Sequence, residues 1–252
     1  MSPSKRKRIG LIIPSSNTTL EVDFYRSFGA ETTVHTARMY MEVVTRKNEK
    51  KMISEGLPQA IRMLKSLDPE VIVFGCTSGG ALGGLEHDQE IGSKIEKKAK
   101  VKCVTVLSSV IDELRRMGAK KIGVFTPYIN EVSKDIRMSL EEANFKVPFV
   151  RGMGLIHNLD VGKVTPDEIC HFVHQKRDPS TLVDAYFLSC TNWRAYESLP
   201  VLKKKISIPM VTSSQAVIQS VKNYLEEIDS SLMQEGTQGD ENRPFHKKWN
   251  IS

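Results

Sequence analysis

No apolar run in this 252-residue chain reaches the roughly 18 residues that a membrane-spanning helix needs, so no membrane partner is expected. Cysteine is scarce: four residues, read as free thiols of a cytoplasmic protein and not as a disulfide framework. No secretory apolar core follows Lys5-Arg6-Lys7-Arg8, which run directly into a short strand-like segment. The glycine-rich run GGALGG at 79–84 lacks the G-x-G-x-x-G spacing of a dinucleotide loop and the lysine–hydroxyl pair of a P-loop. Zinc-finger spacings and aromatic-and-basic RNA motifs are missing as well. Positive charge is not spread either, because Lys5 to Arg8 supply four of the net +6 and read as a solvated basic arm. Nucleic acid is therefore not an expected partner. Cys170, His171 and His174 lie close together but without a second ligand set, and no metal is expected.

The chain has the composition of a soluble globular protein, 40% apolar and 26% charged. At this length it can bury about 70% of its unfolded surface without a covalent staple. Near-continuous apolar runs at 9–13, 71–74, 122–125 and 185–188 predict strands covered on both faces. Helical stripes lie between them, such as Val132, Ile136, Leu140 and Ala143, or Val217, Val221, Tyr224 and Ile228. The alternation predicts βαβ units around parallel sheets. Thr18 and Glu21 have capping-box spacing for a helix after the first strand, and Pro58 predicts a kink or restart within 53–67. From about Asp229 the stripe ends in a polar tail, with Phe245 and Trp249 as its docking aromatics.

An internal repeat organises the rest. IGLIIPSSN at 9–17 is matched by IGVFTPYIN at 122–130, and VIVFGCT ending at Thr77 by AYFLSCT ending at Thr191. Pro14 precedes Cys76 by 62 residues and Pro127 precedes Cys190 by 63. A third pair follows, VKCVTVLSS and IPMVTSS. Two similar α/β halves are implied: 1–112 with 211–228, and 113–210, followed by the tail 229–252.

Ligands of open parallel sheets bind beyond the carboxyl ends of the strands, where both repeated loops fall. With the halves facing each other about a pseudo-twofold axis, Cys76 and Cys190 meet across one cleft. Each is expected to precede a helix start, where backbone N–H groups favour anions and lower a thiol pKa. Ser15, Ser16, Asn17 and Thr18 add donors suited to a carboxylate. Tyr128 stands where Ser15 stands in the first half, which breaks the symmetry of the pocket. The expected order of alkylation is Cys76 first, then Cys190, and only later Cys103 on a strand and Cys170 on a helix. A single cysteine at a strand end is commonly a small buried hydrophobe; the matched placement is what favours a chemical role.

PSSNTTLE, GCTSGG, FTPY and SCTNW, in this order, resemble the aspartate/glutamate racemase superfamily, and within it the maleate cis–trans isomerase branch, over roughly residues 8–228. The resemblance implies two Rossmann-like halves with a cleft between them, no cofactor and a homodimer. It implies Cys76 and Cys190 as catalytic thiols, Asn17 as a carboxylate-binding residue and Tyr128 as a residue at the substrate. Asn158, in IHNLD, matches a further asparagine ligand, and Thr77, Ser78, Thr191 and Asn192 complete the two C-T loops. The implied reaction is isomerisation of a small dicarboxylate by addition of the Cys76 thiolate to its alkene, Cys190 handling a proton. Two-thiol racemisation, a decarboxylase and a non-catalytic carboxylate-binding module are the alternatives. The glycine-rich run after Cys76 departs from the bulkier residues of maleate isomerases and implies a substrate larger than maleate or differently shaped.

Overall fold

The computed structural model describes residues 6–238, with side chains up to Ser231. Phe245 and Trp249 lie outside the described residues. In chain order the elements are β1 (Lys7–Pro14), α1 (Leu20–Ser27), β2 (Thr32–Met39), α2 (Arg46–Lys51), a π-helical turn (Met52–Gly56), α3 (Leu57–Lys65), β3 (Val71–Phe74), α4 (Thr77–Ala81), α5 (Leu85–Ala99), β4 (Lys102–Thr105) and α6 (Val106–Arg116). The second half repeats the plan with β5 (Lys121–Tyr128), α7 (Asn130–Glu142), β6 (Lys146–Leu155), α8 (Asn158–Lys163), α9 (Pro166–Lys176), β7 (Ala185–Leu188), α10 (Ala195–Lys205) and β8 (Met210–Thr212), and α11 (Ser213–Gln238) follows.

The strands form two parallel four-stranded sheets of identical order, β2-β1-β3-β4 and β6-β5-β7-β8. The sequence repeat is thus a repeat of topology. β1 and β3 pair Ile9 with Val71, and their counterparts β5 and β7 pair Ile122 with Ala185. All four residues are fully buried, as expected for strands with helices on both faces. Because sheet order reverses on either side of β1 and β5, the loops after β1, β3, β5 and β7 open at the switch points where such sheets bind ligands.

Three features differ from the sequence expectation. β8 is hydrogen-bonded to β7, so Val211 and Thr212 belong to the second sheet; α11 then packs on α6 of the first half. The helix α11 does not end at Asp229 but continues to Gln238. Lys7 and Arg8 are not part of a free arm. They open β1, where Lys7 Nζ donates to the Leu225 carbonyl at 3.1 Å and pairs with Asp229, and Arg8 Nε donates to the Asp68 carbonyl at 3.0 Å. The restart expected at Pro58 is found: α3 opens at Leu57 with Pro58 in its first turn, directly after the π-turn.

Candidate active site

The four loop openings bring most of the expected residues together. Cys76 caps α4 with extended backbone, its Sγ accepting from the Gly79 N–H at 3.4 Å and lying 3.9 Å from Ser78 Oγ. A Cβ on Gly79 would sit 3.0 Å from that sulfur, so glycine is what allows the amide to approach the thiol. On the other side, Cys190 does not precede a helix: irregular chain runs from it to α10. Its φ is +131°, a left-handed conformation that costs a non-glycine residue about 1–3 kcal/mol. The strain folds the chain so that the Asn192 N–H points back at the thiol at 3.2 Å. Trp193, fully buried and edge-on to Phe172 at 6.1 Å, holds the loop in place.

The two sulfurs act on each other electrostatically, and the Tyr128 phenol donates to Cys190. Both thiols are buried, 4% and 5% exposed, so the halves are closed over them. This closure overturns the expectation of low-pKa thiols at the loops. Burial pushes Cys76 far above the ordinary thiol range, with the nearby Glu49 charge adding to it and the Gly79 amide only partly opposing it. Cys190 is pushed up less, to about 11, because Tyr128 and the amides of Asn192 and Trp193 stabilise its thiolate. Tyr128 is itself held well above its ordinary value by burial. Exposure favours a different alkylation order from the one expected: Cys170 on α9 is the partly exposed thiol, while Cys76, Cys190 and Cys103 are buried.

Several expected ligands fasten the halves together. Asn17 Oδ1 accepts from the Thr19 and Leu20 amides, capping α1, while its Nδ2 donates to Thr191 Oγ1 at 3.2 Å. The capping box of Thr18 and Glu21 does not form. The Thr18 N–H goes to Asn192 Oδ1 at 2.8 Å, and Glu21 binds Arg38 and Thr36. Thr191 donates to the Gly75 carbonyl at 3.0 Å, and Asn192 Nδ2 to the Asn158 carbonyl at 2.6 Å. Asn158 Nδ2 donates to Ser16 Oγ at 2.9 Å, and both Ser15 and Ser16 bond the Met41 backbone. Residues 40–44 and 156–158 close over the site, with Val44 N–H on the Ile156 carbonyl and Asn158 N–H on the Glu42 carbonyl, both at 2.8 Å. Ser15 and Ser16 also line a surface cavity of about 540 Å³ with Tyr40, Glu42 and His157.

Two residues not singled out from the sequence belong to the site. Ser213, at the start of α11, accepts from Thr77 Oγ1 and from the Cys190 N–H, both at 3.0 Å, tying the two C-T loops through one oxygen. Glu49 on α2 is fully buried near Ser78 and Cys76, and burial pushes its carboxyl up to about 8. Its signal is in the sequence: Glu49, Met52, Ile53 and Gly56 have the spacing of one helix face, and the apolar pair assigns that face to the interior. Cys170, His171 and His174 gather no further ligand, and no group of three or more His, Cys, Asp or Glu among the described residues is placed to hold a metal ion.

The match to known proteins runs through nearly the whole chain. The sequence profile of the arylmalonate decarboxylase family covers residues 9–236. The maleate isomerase of Alcaligenes faecalis is 28% identical over 234 residues, 87% of this chain and 91% of its own length. That of Nocardia farcinica is 25% identical over 232 residues, 87% and 90%. A cysteine-to-serine mutant of the Nocardia farcinica maleate cis–trans isomerase, solved with a covalently bound succinylcysteine intermediate, superposes with a TM-score of 0.81 at 22% identity, covering 87% of this chain and 93% of that one. The chain belongs to the arylmalonate decarboxylase family, on its maleate isomerase branch.

Proposed function

We propose that the protein is a cofactor-independent cis–trans isomerase of a small, maleate-like unsaturated acid, with Cys76 as nucleophile and Cys190 as its proton partner. The observation that carries the reading is the pair of thiols from matched loops of the two halves, buried together and different in character. Cys190 has a phenol and two amides to hold a sulfur anion; Cys76 has one amide and a neighbouring acid. The group that bears charge between steps is the better stabilised one, so Cys190 is the proton carrier. A relative that forms a succinylcysteine with one cysteine replaced supports covalent chemistry at a single sulfur.

With one proton between the two thiols, it rests on Cys76, whose thiolate is the less stabilised, and Cys190 draws it off as Cys76 attacks. Cys76 Sγ bonds to one alkene carbon as the π bond opens, and the electron pair, delocalised onto the adjacent carboxylate, takes the proton from Cys190 at the other carbon. Asn17 Nδ2, Tyr128 and loop amides receive the carboxylate charge. The former double bond is now single and rotates. Cys190 then removes the proton from that carbon, the trans alkene re-forms, and the C–S bond breaks to release Cys76. The sequence balances without a redox step. The closed loops at 40–44 and 156–158 keep water away from the carbanionic intermediate. The homodimer is supported by the resemblance and is read by light scattering; the cytoplasmic location is supported by the four free thiols and is read by fractionation.

The test is proton NMR of the enzyme with maleate: fumarate accumulates with wild type, and activity falls by at least about 10³-fold in Cys76→Ser. Turnover retained in Cys76→Ser overturns the nucleophile assignment. Racemisation of amino or hydroxy acids with obligatory deuterium wash-in at the α-carbon, and no alkene isomerisation, overturns the reaction class.

A further inference from the structure

The two halves stay in step up to the residue before each thiol and diverge at the thiol itself. The Gly75 N–H donates to the Ile12 carbonyl and the Ser189 N–H to the Phe125 carbonyl, both at 2.8 Å, and the two pairs hold equivalent places in the repeat. One residue later Cys76 has φ −133° and opens a helix, whereas Cys190 has φ +131° and opens none. Part of the reason lies three residues on. A Cβ at Gly79 would stand 3.0 Å from the Cys76 sulfur, and the second half has Trp193 in that place, so the turn made by α4 is closed to it. Steric exclusion refuses one conformation, but a strained one persists only where its surroundings hold it.

Ser213 is placed to hold it. Its Oγ accepts from the Cys190 N–H and from Thr77 Oγ1, both at 3.0 Å, and Ser213 has no exposed surface. The repeat aligns Val104-Thr105 with Val211-Thr212, and each threonine accepts from the N–H three residues on, that of Ser108 or of Gln215. The next residue is Val106 in the first half and Ser213 in the second, so the hydroxyl on the Cys190 amide has no counterpart in the repeat. The threonines after the thiols differ accordingly: Thr191 Oγ1 donates directly to the Gly75 carbonyl, and Thr77 Oγ1 goes to Ser213. Ser189, the other hydroxyl beside Cys190, has a buried Oγ that makes no hydrogen bond among the described residues, and it fastens nothing.

Resting on the isomerase reading above, we infer that Ser213 is a positioning residue: by holding the Cys190 amide it keeps the strained turn that aims the Asn192 N–H at the Cys190 sulfur, and so makes the two thiols unequal. A buried N–H that loses its acceptor is costly. Without the Ser213 hydroxyl the chain turns toward an ordinary φ, and the Asn192 amide, 3.2 Å from the sulfur, moves off it. The effect on turnover passes through Cys190, so kcat falls while KM holds.

The experiment compares wild type with Ser213→Ala, Ser213→Val (the residue of the first half) and Ser213→Thr, by crystallography and by NMR kinetics with maleate. In Ser213→Ala and Ser213→Val the Cys190 φ leaves the left-handed region, and kcat falls at least about tenfold with KM within about threefold of wild type. Ser213→Thr keeps the hydroxyl, and with it the turn and most of kcat. If the larger Val does not fold in this buried position, Ala and Thr carry the comparison. An unchanged φ in Ser213→Ala means that Trp193 alone holds the loop and overturns the inference. A changed φ with wild-type kcat overturns it as well, and so does a Ser213→Thr variant that loses the turn as Ala does. If folded wild type leaves maleate unchanged, the isomerase reading fails, and the crystal structures alone decide Ser213: a turn lost in Ala and kept in Thr upholds its hold on Cys190, and a turn kept in both overturns it.

Discussion

At Cys190 the backbone holds a side-chain-bearing residue at φ +131°, a conformation open mainly to glycine. The strain is stored at the thiol proposed to carry the proton, a placement typical of sites whose geometry is enforced by their surroundings. Removing the side chain while keeping the conformation should release it. Cys190→Gly is expected to be more stable than Cys190→Ala by about 1 kcal/mol in urea denaturation, although both are inactive. Equal midpoints would mean that the loop relaxes and holds no strain. Glu49 gives a second test, through linkage. Its folded carboxyl, raised to about 8 by burial, binds a proton that the unfolded chain releases near the ordinary value of 4.5. Stability from this group is present below that lower value and is lost as pH rises through 8. Asp23, raised to about 6 by burial, contributes in the same direction over a lower window. Glu49→Gln should therefore raise Tm more at pH 8.5 than at pH 4.5, and a shift that does not change with pH would refute the buried-acid assignment.

At the scale of single elements, the start of α1 separates a structural role from a chemical one in one residue. Asn17 uses its carbonyl oxygen on two amides of the helix and its NH2 toward the site. Asn17→Asp preserves the cap and favours the helix dipole, but places an anion where a carboxylate must bind. Asn17→Ala loses both. The expected result is a Tm near wild type with activity reduced at least a hundredfold for Asp, and a loss of about 1–2 kcal/mol of stability with similar inactivity for Ala. The same turn shows what was legible in the sequence. Thr18 and Glu21 have capping-box spacing, yet tertiary partners on β2 and on Asn192 claim them, and Asn17 one residue earlier takes over. Strands and helices could be read because burial on both faces writes itself as apolar runs and stripes. Glu49 was hidden by its charged neighbours in RKNEKK, since a helix only six residues long shows its inward face mainly through the apolar residues after it. Cys170 was misjudged because position on a helix does not report which face meets solvent.

Over the whole molecule, the two halves meet through polar contacts concentrated around the thiols: Arg46 with Asp135, Ser213 with Thr77 and Cys190, Asn192 with Thr18 and Asn158. The repeat in the sequence was sufficient to place Cys76 opposite Cys190. It carried no information on closure, because the segments at 40–44 and 156–158, which meet each other beside Ser15 and Ser16, are not repeated. If the proposed reaction admits its substrate between them, opening there is a step distinct from unfolding, with its own free energy. Asn158 is the fastener that can be cut from one side, through its bond to Ser16. In wild type, short iodoacetamide treatment is expected to label half-exposed Cys170 first, with Cys76, Cys190 and Cys103 slow. In Asn158→Ala, labelling at Cys76 and Cys190 should accelerate severalfold while Cys103, buried between β3 and the helices of the first half, stays slow. Peptide mapping at several times distinguishes the cases. If Cys103 accelerates in parallel, the change is global destabilisation; if only Cys76 and Cys190 respond, and a saturated diacid slows that pair again, residues 40–44 and 156–158 are the entrance to the site.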